Sequence, residues 1–482
     1  MPNAISRGQL VAIATYFVAL FVYGHQKWWE SPTAASRLCL LYEVCAHHQV
    51  AIDHSILITP DTARAKGRLF SDKAPGMVVA AFPGFACGWA LAGASGATEK
   101  PRLLAASWLG CATSAAMVLA MGSALLCTAL ARRVGPRTAF LTVTALMLGG
   151  MPWVYATVMH SHSLVIGVLC VALWAALAFD PEGNSAPPLA AAKLSALFGF
   201  CLGWALASEY TSGLMVLALG IYFLSSAGLR PTIRAVLSAI PPLLMIPLYS
   251  WMTIGDPFQL PYSYQSTFPE MKKGLYAIRW PDAQTAYQLL FSSQRGLLFW
   301  SPCLGLAIFG YPRLLRQSPK LFWLAYAAPL LQLIVISGRV WDWPAGPTFG
   351  PRYLAPMLPL LALPLAIGLQ RVPLLAWPLA AYSIAVTGVA NVTDACQNYY
   401  SSVNPLVDVN WPLFITGQFG PNLGTAVGLP PNIALAAFGA VLVFGFYAIY
   451  RTLPPDGTAE MAGGDVAPRI PDATNRSLDQ VS

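Results

Sequence analysis

Long apolar runs separated by polar stretches make up most of the chain. They lie near residues 9–24, 76–95, 104–131, 138–158, 163–179, 193–208, 212–227, 236–254, 296–310, 321–337, 353–369, 373–391 and 431–450. A run of about 17–25 apolar residues can cross a hydrocarbon layer, and backbone groups in lipid must pair within their own segment. The pattern therefore predicts an all-α, polytopic membrane protein with about 12 or 13 transmembrane helices.

The first apolar run follows a short basic start that ends in Arg7. This is the form of a cleaved signal peptide, but no small-x-small cleavage site follows Gly24. We therefore expect an uncleaved first helix whose N-terminus faces the cytoplasm.

Basic residues cluster in the short loops between runs. They are Arg132, Arg133 and Arg137; Arg230 and Arg234; Arg313, Arg316 and Lys320; Arg371; and Arg451. If the crossings alternate, the positive-inside rule places all five groups in the cytoplasm. Two full crossings at 76–95 and 104–131 would instead put the first group outside. Either 76–95 is re-entrant, as Pro83 and four glycines suggest, or the rule fails there, so the side of the C-terminus stays open.

The polar loops 25–75, 255–295, 338–352 and 392–430 all fall on the outer side of this arrangement. They carry more than half of the 20 acidic residues and many Trp and Tyr, which favour the membrane interface. A transporter tends to have short loops and charges near the bilayer midplane. Charge gathered in outer loops suits an amphiphilic substrate whose polar head lies outside and whose tail lies in lipid. Residues 451–482 are expected to form a disordered polar tail.

Composition narrows the class of protein further. Hydrophobic residues make up 56% and charged residues 10%, whereas a soluble domain carries roughly 25% charged residues. The net charge of +8 lies mostly in the short loops, so it is not a nucleic-acid signal. The nine cysteines show no metal-ligand spacing, and no P-loop, dinucleotide fingerprint or HExxH motif occurs. No cofactor is assigned, and a requirement for a divalent metal stays open.

Three cations stand where loops enter apolar runs. Lys73, which follows Asp72, can bind a lipid-linked phosphate as a point charge, and the planar guanidinium of Arg352 suits phosphate oxygens. Arg295 is a weaker candidate of the same kind. The alternative for all of them is an interface anchor that reaches toward lipid headgroups.

Acids in the first loop are candidates for a general base. Glu30 follows Trp28-Trp29, and partial desolvation beside indole rings would raise its pKa. Asp53 and Asp61 are rivals in the same loop. Ordinary solvated acids are the alternative reading.

Two further polar positions interrupt apolar segments. His160 and His162, at i and i+2, do not share a helix face, so they form a poor metal site and more readily cap a helix end. Glu209 lies between two apolar runs, where an acid is costly unless it is paired or used.

Several short stretches follow one another in an informative order. They are Ser36-Arg37, Ala51-Ile52-Asp53, Asp61, Ser71-Asp72-Lys73-Ala74-Pro75-Gly76, His162-Ser163-Leu164, Glu209-Tyr210, Gly255-Asp256-Pro257-Phe258, Arg295-Gly296-Leu297-Leu298-Phe299-Trp300-Ser301-Pro302 and Phe349-Gly350-Pro351-Arg352-Tyr353-Leu354. In this order they resemble bacterial membrane glycosyltransferases of the GT-C type, relatives of the protein O-mannosyltransferases and the lipid A aminoarabinose transferase (glycosyltransferase family 39). The resemblance covers most of residues 25–370.

The resemblance implies a GT-C-like catalytic domain over residues 1–450, with a large first extracytoplasmic loop, in the inner membrane. It implies a polyprenyl-phosphate sugar as donor and a glycan, lipid or protein acceptor on the periplasmic face. Glu30 would be the catalytic carboxylate, with Asp53 and Asp61 as alternatives, and Lys73 and Arg352 would bind the phosphate. The other implied substrate-binding residues are Arg37, Asp72, His162, Glu209, Arg295 and Tyr353.

Two other classes of function compete with this reading. A transporter or flippase of lipid-linked saccharides would need paired charges deep within helices, and a non-catalytic scaffold would bind no lipid phosphate. The sequence identifies neither the sugar nor the acceptor.

Overall fold

The computed structural model describes residues 5–24, 31–179, 188–272, 277–395 and 402–456. The helices are α1 (Arg7–Tyr23), α2 (Pro32–His47), α3 (Gly76–Ala94), α4 (Glu99–Cys111), α5 (Met117–Val134), α6 (Pro136–Leu148), α7 (Met151–Ala156), α8 (Ser161–Leu177), α9 (Pro188–Ser208), α10 (Gly213–Ala227), α11 (Leu229–Thr253), α12 (Ala283–Phe291), α13 (Leu297–Trp300), α14 (Ala307–Gln317), α15 (Pro319–Ser337), α16 (Leu358–Arg371), α17 (Pro373–Val392), α18 (Trp411–Ile415), α19 (Leu423–Ala426) and α20 (Pro431–Thr452). Within these ranges the only sheet is an antiparallel hairpin of β1 (Thr62–Ala65) and β2 (Arg68–Ser71). The prediction of a helical, polytopic membrane protein is confirmed.

The helices divide into an inner and an outer set. Nine helical stretches of the described chain are long and apolar enough to cross a membrane, and α1, α6 and α8 are shorter apolar helices. The stretch Arg352–Arg371 and helix α8 are almost completely buried, whereas α11 and α20 leave most of their apolar surface exposed. Contact of such surface with lipid has no free-energy penalty, whereas its contact with water would be unfavourable.

Small residues let the helices pack closely. A Cβ added at Gly122 on α5 would lie 2.4 Å from the carbonyl oxygen of Gly167 on α8, and one at Gly199 on α9 would lie 1.8 Å from that of Ala235 on α11. Helix association in membranes depends on such close backbone approach, because lipid gives no hydrophobic force between helices.

One end of the bundle collects the short basic loops. The side-chain amide of Gln9 on α1 donates a hydrogen bond to the carbonyl of Thr452 at the end of α20 (2.7 Å). Gln370, near the end of α16, donates to the carbonyl of Val134 at the end of α5 (2.6 Å). We call this the basic end, and the positive-inside rule assigns it to the cytoplasm.

The opposite end carries the long loops, and we call it the loop end. The hydroxyl of Tyr23, at the end of α1, donates to the carbonyl of Ala434 near the start of α20. Gln332, near the end of α15, donates to the carbonyl of Tyr353 (2.9 Å), which lies just before α16.

Helix α3 does not connect the two ends. Helices α4 and α5, joined by a π-turn, form one continuous helix of 36 residues, Glu99–Val134. This helix is about 54 Å long, well beyond a hydrocarbon core of about 30 Å. Its Trp108 donates to the carbonyl of Val22 at the loop end of α1 (3.1 Å), so the turns before Trp108 lie further out. Helix α3 packs on this outer part, since a Cβ at Gly88 would contact Ala106.

This α3–α4 hairpin restores the alternation of crossings. Gly76, which begins α3, packs against Ser208 at the loop end of α9, so segment 76–95 starts and finishes on one side. The remaining described passages between the two ends are α1, α4–α5, α6–α7, α8, α9, α10, α11, α13–α14, α15, α16, α17 and α20. Because this number is even, the chain returns to the basic end, and the five basic groups gather there.

The chain stays packed for a few residues after α20. The carboxylate of Asp456 accepts hydrogen bonds from the backbone N–H groups of Arg137 (2.8 Å) and Thr138 (3.0 Å), at the start of α6. Acceptors at this position satisfy N–H groups that have no partner within the helix. The first residues of the expected tail are therefore part of the fold, and 457–482 lie outside the described residues.

The hairpin predicts which side of the membrane Ser95 faces. Ser95, exposed in the α3–α4 turn, should react as Ser95→Cys with a membrane-impermeant maleimide added to the outer side of sealed cells, in a background without Cys45, Cys87 and Cys396. Arg316→Cys at the basic end is the control and should react only after permeabilisation. Labelling of Ser95→Cys only after permeabilisation would mean that α3 crosses the membrane.

Candidate active site

The loop end contains a cavity of about 450 Å³. Parts of the chain that are far apart in sequence line it. They are the start of α2, both ends of the β1–β2 hairpin, the α9–α10 junction and the loops before α12 and α16. Its charged and hydroxyl-bearing lining residues are Ser31, Thr33, Arg37, Asp61, Asp72, Lys73, Glu209, Tyr262, Asp342, Arg352 and Tyr353. Concave sites with convergent polar groups are typical of small-molecule binding.

The β-hairpin brings two aspartates together. Its turn at 66–67 has φ angles of 52° and 73°, the conformation of a two-residue type I′ turn. The register pairs Thr62 with Ser71. The next residues outward, Asp61 and Asp72, therefore leave the hairpin side by side.

Lys73 lies between these two carboxylates. Its Nζ is 2.8 Å from Oδ2 of Asp61 and 3.1 Å from Oδ1 of Asp72, and the lysine side chain is only 9% exposed. The ring centroid of Tyr262, from the 254–282 loop, lies 5.4 Å from the same nitrogen. The ammonium is thus held in place by two charges and an aromatic face.

A hydroxyl group links this triad to Arg352. Thr33 donates from Oγ1 to Oδ2 of Asp61 (2.9 Å), and Nη1 of Arg352 donates to the same hydroxyl oxygen (3.1 Å). Lys73 and Arg352, which are far apart in sequence, therefore belong to one hydrogen-bond network at one end of the molecule.

A second buried network lies beside the first. Nη2 of Arg37, on α2, donates to the hydroxyl of Ser161 (3.1 Å), which donates to Oε2 of Glu209 (2.8 Å). Burial raises the pKa of Glu209, but the charge of Arg37 and the hydrogen bond from Ser161 help to outweigh it, so that the net shift is downward. Ser161 thus connects Glu209 to Arg37, and no direct ion pair between the two side chains forms.

Arg37 and Arg352 each have a buried hydrogen-bond donor that is not used within the described residues. The Nε atom of each is buried, and within the described ranges it has no hydrogen-bond partner. The ion pairs among those residues include neither guanidinium. A buried cation is costly unless an anion pairs with it, so this arrangement favours binding of an anion.

The two aspartates differ in their affinity for protons. Burial raises the pKa of Asp72 to about 6, and the charge of Asp61 adds to this increase against the opposing effect of Lys73. Burial also acts on Asp61, but the ammonium of Lys73 and the hydroxyl of Thr33 outweigh it and lower its pKa. Burial opposes the charge of Lys73, yet its two carboxylate partners raise its pKa, so it stays protonated.

The 338–352 loop fixes the position of Arg352. Asp342 accepts from Nη2 of Arg339 (2.7 Å) and from the hydroxyl of Tyr353 (3.1 Å). Nη2 of Arg352 donates to that same hydroxyl (3.3 Å). Arg352 is therefore held between Thr33 on one side and Tyr353 on the other.

One of the predicted acids, Asp53, is not among the cavity residues. The carboxylate of Asp53 accepts from Nε of Arg68 (2.7 Å) and from the N–H of Leu69 (2.7 Å), at the exposed start of β2. Asp53 therefore stabilises the hairpin and does not line the cavity. Glu30 lies outside the described residues, although Ser31, which follows it, lines the cavity.

Two other predicted site residues, His162 and Arg295, do not line the cavity. His162 is buried and packs on Tyr155, with ring centroids 4.9 Å apart. Arg295 is buried and donates to the carbonyls of Gln294 (3.1 Å) and Gly346 (3.4 Å). Because Gly346 lines the cavity, Arg295 shapes its wall and does not face its interior.

Sequence reasoning missed Thr33 and Tyr262 as cavity residues. Thr33 carries no charge, and in sequence it is one hydroxyl among many. Tyr262 belongs to a tyrosine-rich loop, where interface anchoring is an equally good explanation. No group of three or more His, Cys, Asp or Glu side chains in the described ranges is placed to hold a metal ion.

The buried triad predicts a stability loss that depends on pH. Lys73→Met would leave Asp61 and Asp72 buried without their cation, at a cost of about 3–5 kcal/mol, so the thermal unfolding midpoint in detergent should fall at about pH 7.5. Without the cation both carboxyl pKa values are raised, so the neutral forms are favoured and part of the loss should be recovered on lowering the pH to about 5.5.

Adding Asp61→Asn to Lys73→Met removes one of the two unpaired buried charges. The double variant should therefore recover part of the lost thermal unfolding midpoint at about pH 7.5. An unchanged midpoint in Lys73→Met would contradict the buried ion pair.

Comparison with solved structures gives the fold a relative. The chain aligns with ArnT from Cupriavidus metallidurans in the apo state with a TM-score of 0.50 and 16% identity, over 92% of this chain and 74% of ArnT. ArnT bound to undecaprenyl phosphate aligns with a TM-score of 0.45 and 18% identity, over 91% and 74%. The oligosaccharyltransferase AglB from Archaeoglobus fulgidus, in complex with an inhibitory peptide and a dolichol-phosphate, aligns with a TM-score of 0.42 and 12% identity, over 92% and 55%.

No protein-family model and no curated protein sequence matches the chain. The likeness is therefore one of structure, carried by the alignment with apo ArnT across nearly the whole chain. It agrees with the polytopic helical bundle that the described residues form. The chain has the fold of the GT-C membrane glycosyltransferases.

Proposed function

We propose that this protein transfers a sugar from a polyprenyl-phosphate donor to an acceptor at the extracytoplasmic face of the membrane. The observation that carries the proposal is the position of Lys73 and Arg352. Asp61 and Thr33 link them in one network, in a cavity at the loop end of a membrane bundle. ArnT, whose fold the chain shares, is a lipid A aminoarabinose transferase, and this supports the same class of reaction.

The proposed donor matches the site in charge and in location. A glycosyl phosphodiester is an anion, and the lining offers two buried guanidinium groups with free donors as well as an ammonium. Arg is well suited to phosphate because its planar fork donates two parallel hydrogen bonds. The lipid tail would remain among the apolar helices while the phosphate reached the helix ends.

In the proposed reaction the bond from the anomeric carbon to the phosphate oxygen breaks, and the phosphate leaves with the electron pair. The acceptor hydroxyl forms a new bond to the same carbon and gives its proton to a carboxylate. Charge grows on the phosphate in the transition state, where Lys73 and Arg352 would stabilise it. An oxocarbenium-like sugar and a positioned base complete the requirement.

The base should lie away from Lys73. An inverting transfer brings the acceptor to the face opposite the leaving group, and Asp61 and Asp72 both touch the lysine proposed to bind that group. These two acids would tune the charge of the phosphate site. Glu30, next to the cavity residue Ser31, remains our proposed base.

The orientation follows from the distribution of charge. With the basic end in the cytoplasm, the cavity faces outward, as a periplasmic reaction at an inner membrane requires. We assign the catalytic unit to residues 1–450. A glycan, a lipid or a protein would serve as acceptor.

Lys73→Gln and Arg352→Gln should each lower the amount of glycosylated product by about 100-fold or more, because each removes a charge that stabilises the leaving phosphate. The measurement is mass spectrometry of cell-envelope glycans in a deletion strain complemented with each variant.

Arg68→Gln is the matched control, because Arg68 is an exposed cation of the same hairpin that pairs with Asp53. It should retain product close to the wild-type amount. Full product from both Lys73→Gln and Arg352→Gln would eliminate the mechanism. Transport of intact lipid-linked saccharide without a new glycosidic bond would instead identify a flippase.

Asp72 predicts how donor affinity depends on pH. As the pH falls through about 6, Asp72 takes up a proton and the site loses one negative charge, so an anionic donor should bind several-fold more tightly at about pH 5.5 than at 7.5. A methyl polyprenyl phosphodiester in nanodiscs is a suitable probe, because its own charge is constant over this range.

Asp72→Asn should bind this probe tightly at both pH values. An Asp72→Asn protein whose affinity still rises as the pH falls would assign the effect to another group.

A further inference from the structure

The cavity has an apolar wall that the phosphate chemistry does not use. Phe268, Met271, Trp341, Pro344 and Pro347 line it together with the charged residues. The rings of Phe268 and Trp341 lie 6.4 Å apart between centroids, and Trp341 is 37% exposed. Aromatic surface that stays exposed to water in a cavity has an unfavourable hydration free energy, and a ligand that covers this surface removes that cost.

A buried arginine, Arg339, contacts both loops of this wall and fixes their relative positions. Nη2 of Arg339 lies 2.7 Å from Oδ2 of Asp342 and 3.7 Å from the sulfur of Met271. Its guanidinium also stacks on the ring of Tyr353, 4.5 Å from the centroid. The wall is therefore built before any ligand arrives, which reduces the entropy lost on binding.

The wall is next to the proposed phosphate site. Trp341 precedes Asp342, whose carboxylate accepts from the hydroxyl of Tyr353, and that hydroxyl accepts from Arg352. A group bonded directly to a phosphate held by Arg352 would thus lie within reach of the Trp341 ring. In a glycosyl phosphodiester that group is either the sugar or the first part of the lipid.

The position of the wall favours the sugar. Trp341 belongs to the loop after α15 and Phe268 to the loop after α11, both beyond the helix ends. A hydrocarbon chain is most stable among the membrane-spanning helices, whereas a sugar belongs outside the hydrocarbon region. The axial C–H groups of a sugar ring form an apolar face that packs on an aromatic ring, and its hydroxyl groups can remain hydrated.

On the basis of the proposed function, we propose that Trp341, supported by Phe268, is the stacking surface for the sugar ring of the donor. This surface selects a donor that carries a sugar over the same lipid phosphate without one. Lys73 and Arg352 bind both kinds of lipid, so specificity for the loaded donor comes from the wall.

The test compares probes that have the same charge. Binding to wild-type protein in nanodiscs is measured for methyl undecaprenyl phosphodiester and for undecaprenyl phosphate carrying glucose, mannose or arabinose. Wild type should bind at least one sugar-bearing lipid about tenfold more tightly than the methyl diester. Trp341→Ala should abolish that preference while leaving methyl-diester affinity within about twofold, and Trp341→Phe should keep most of the preference.

Each other result has a definite meaning. If wild type binds the methyl diester but prefers none of the sugar-bearing lipids, the stacking surface is refuted and the proposed function survives. If Trp341→Ala weakens the methyl diester and the sugar-bearing lipids equally, the wall holds the lipid and the inference is likewise overturned. If wild type binds none of the four lipids, the proposed function fails, and this inference fails with it.

Discussion

The ion pairs around Lys73 are the interaction on which the loop end depends. A buried ammonium between Asp61 and Asp72 connects both ends of the hairpin, and Thr33 extends the network to α2 and to Arg352 before α16. Charges removed from water are tolerated only when they are paired and hydrogen-bonded, so loss of one member leaves the others at a high energetic cost. By the same rule, the buried Nε donors of Arg37 and Arg352, which have no hydrogen-bond partner among the described residues, favour the binding of an anion.

This polar end rests on a bundle of a different chemical character. Apolar helices with small residues at their contacts pack closely and expose apolar surface to lipid, as at Gly122 and Gly199. The α3–α4 hairpin extends the bundle at the loop end alone, so the cavity lies on the side that has more protein. In the proposed function, a phosphate-bearing lipid would keep its tail among the helices while its polar head reached the charged lining.

Much of the candidate site was accessible from sequence because charges beside apolar runs are few and costly. Lys73, Asp72, Glu209 and Arg352 stood out for this reason, and all four line the cavity. Asp53 was indistinguishable from Asp61 by the same reasoning, since both are acids of one loop. Their partners in the fold separate them: Asp61 pairs with Lys73, whereas Asp53 accepts from Arg68 and Leu69. Thr33 and Tyr262 carried no comparable signal. Hydroxyl and phenol groups are common near membrane surfaces, and their role depends on which charge lies opposite.

The sequence alone determined that the chain crosses a membrane many times, which loops are basic, and which cations stand at apolar boundaries. These properties follow from the transfer of side chains and backbone groups between water and lipid, which depends on local composition and segment length. The tertiary structure decided that α3 turns back, that Asp53 binds the exposed start of β2, and that Asp61 and Thr33 link Lys73 to Arg352. Those outcomes depend on contacts between segments far apart in the chain, and local hydropathy carries no information about such pairings.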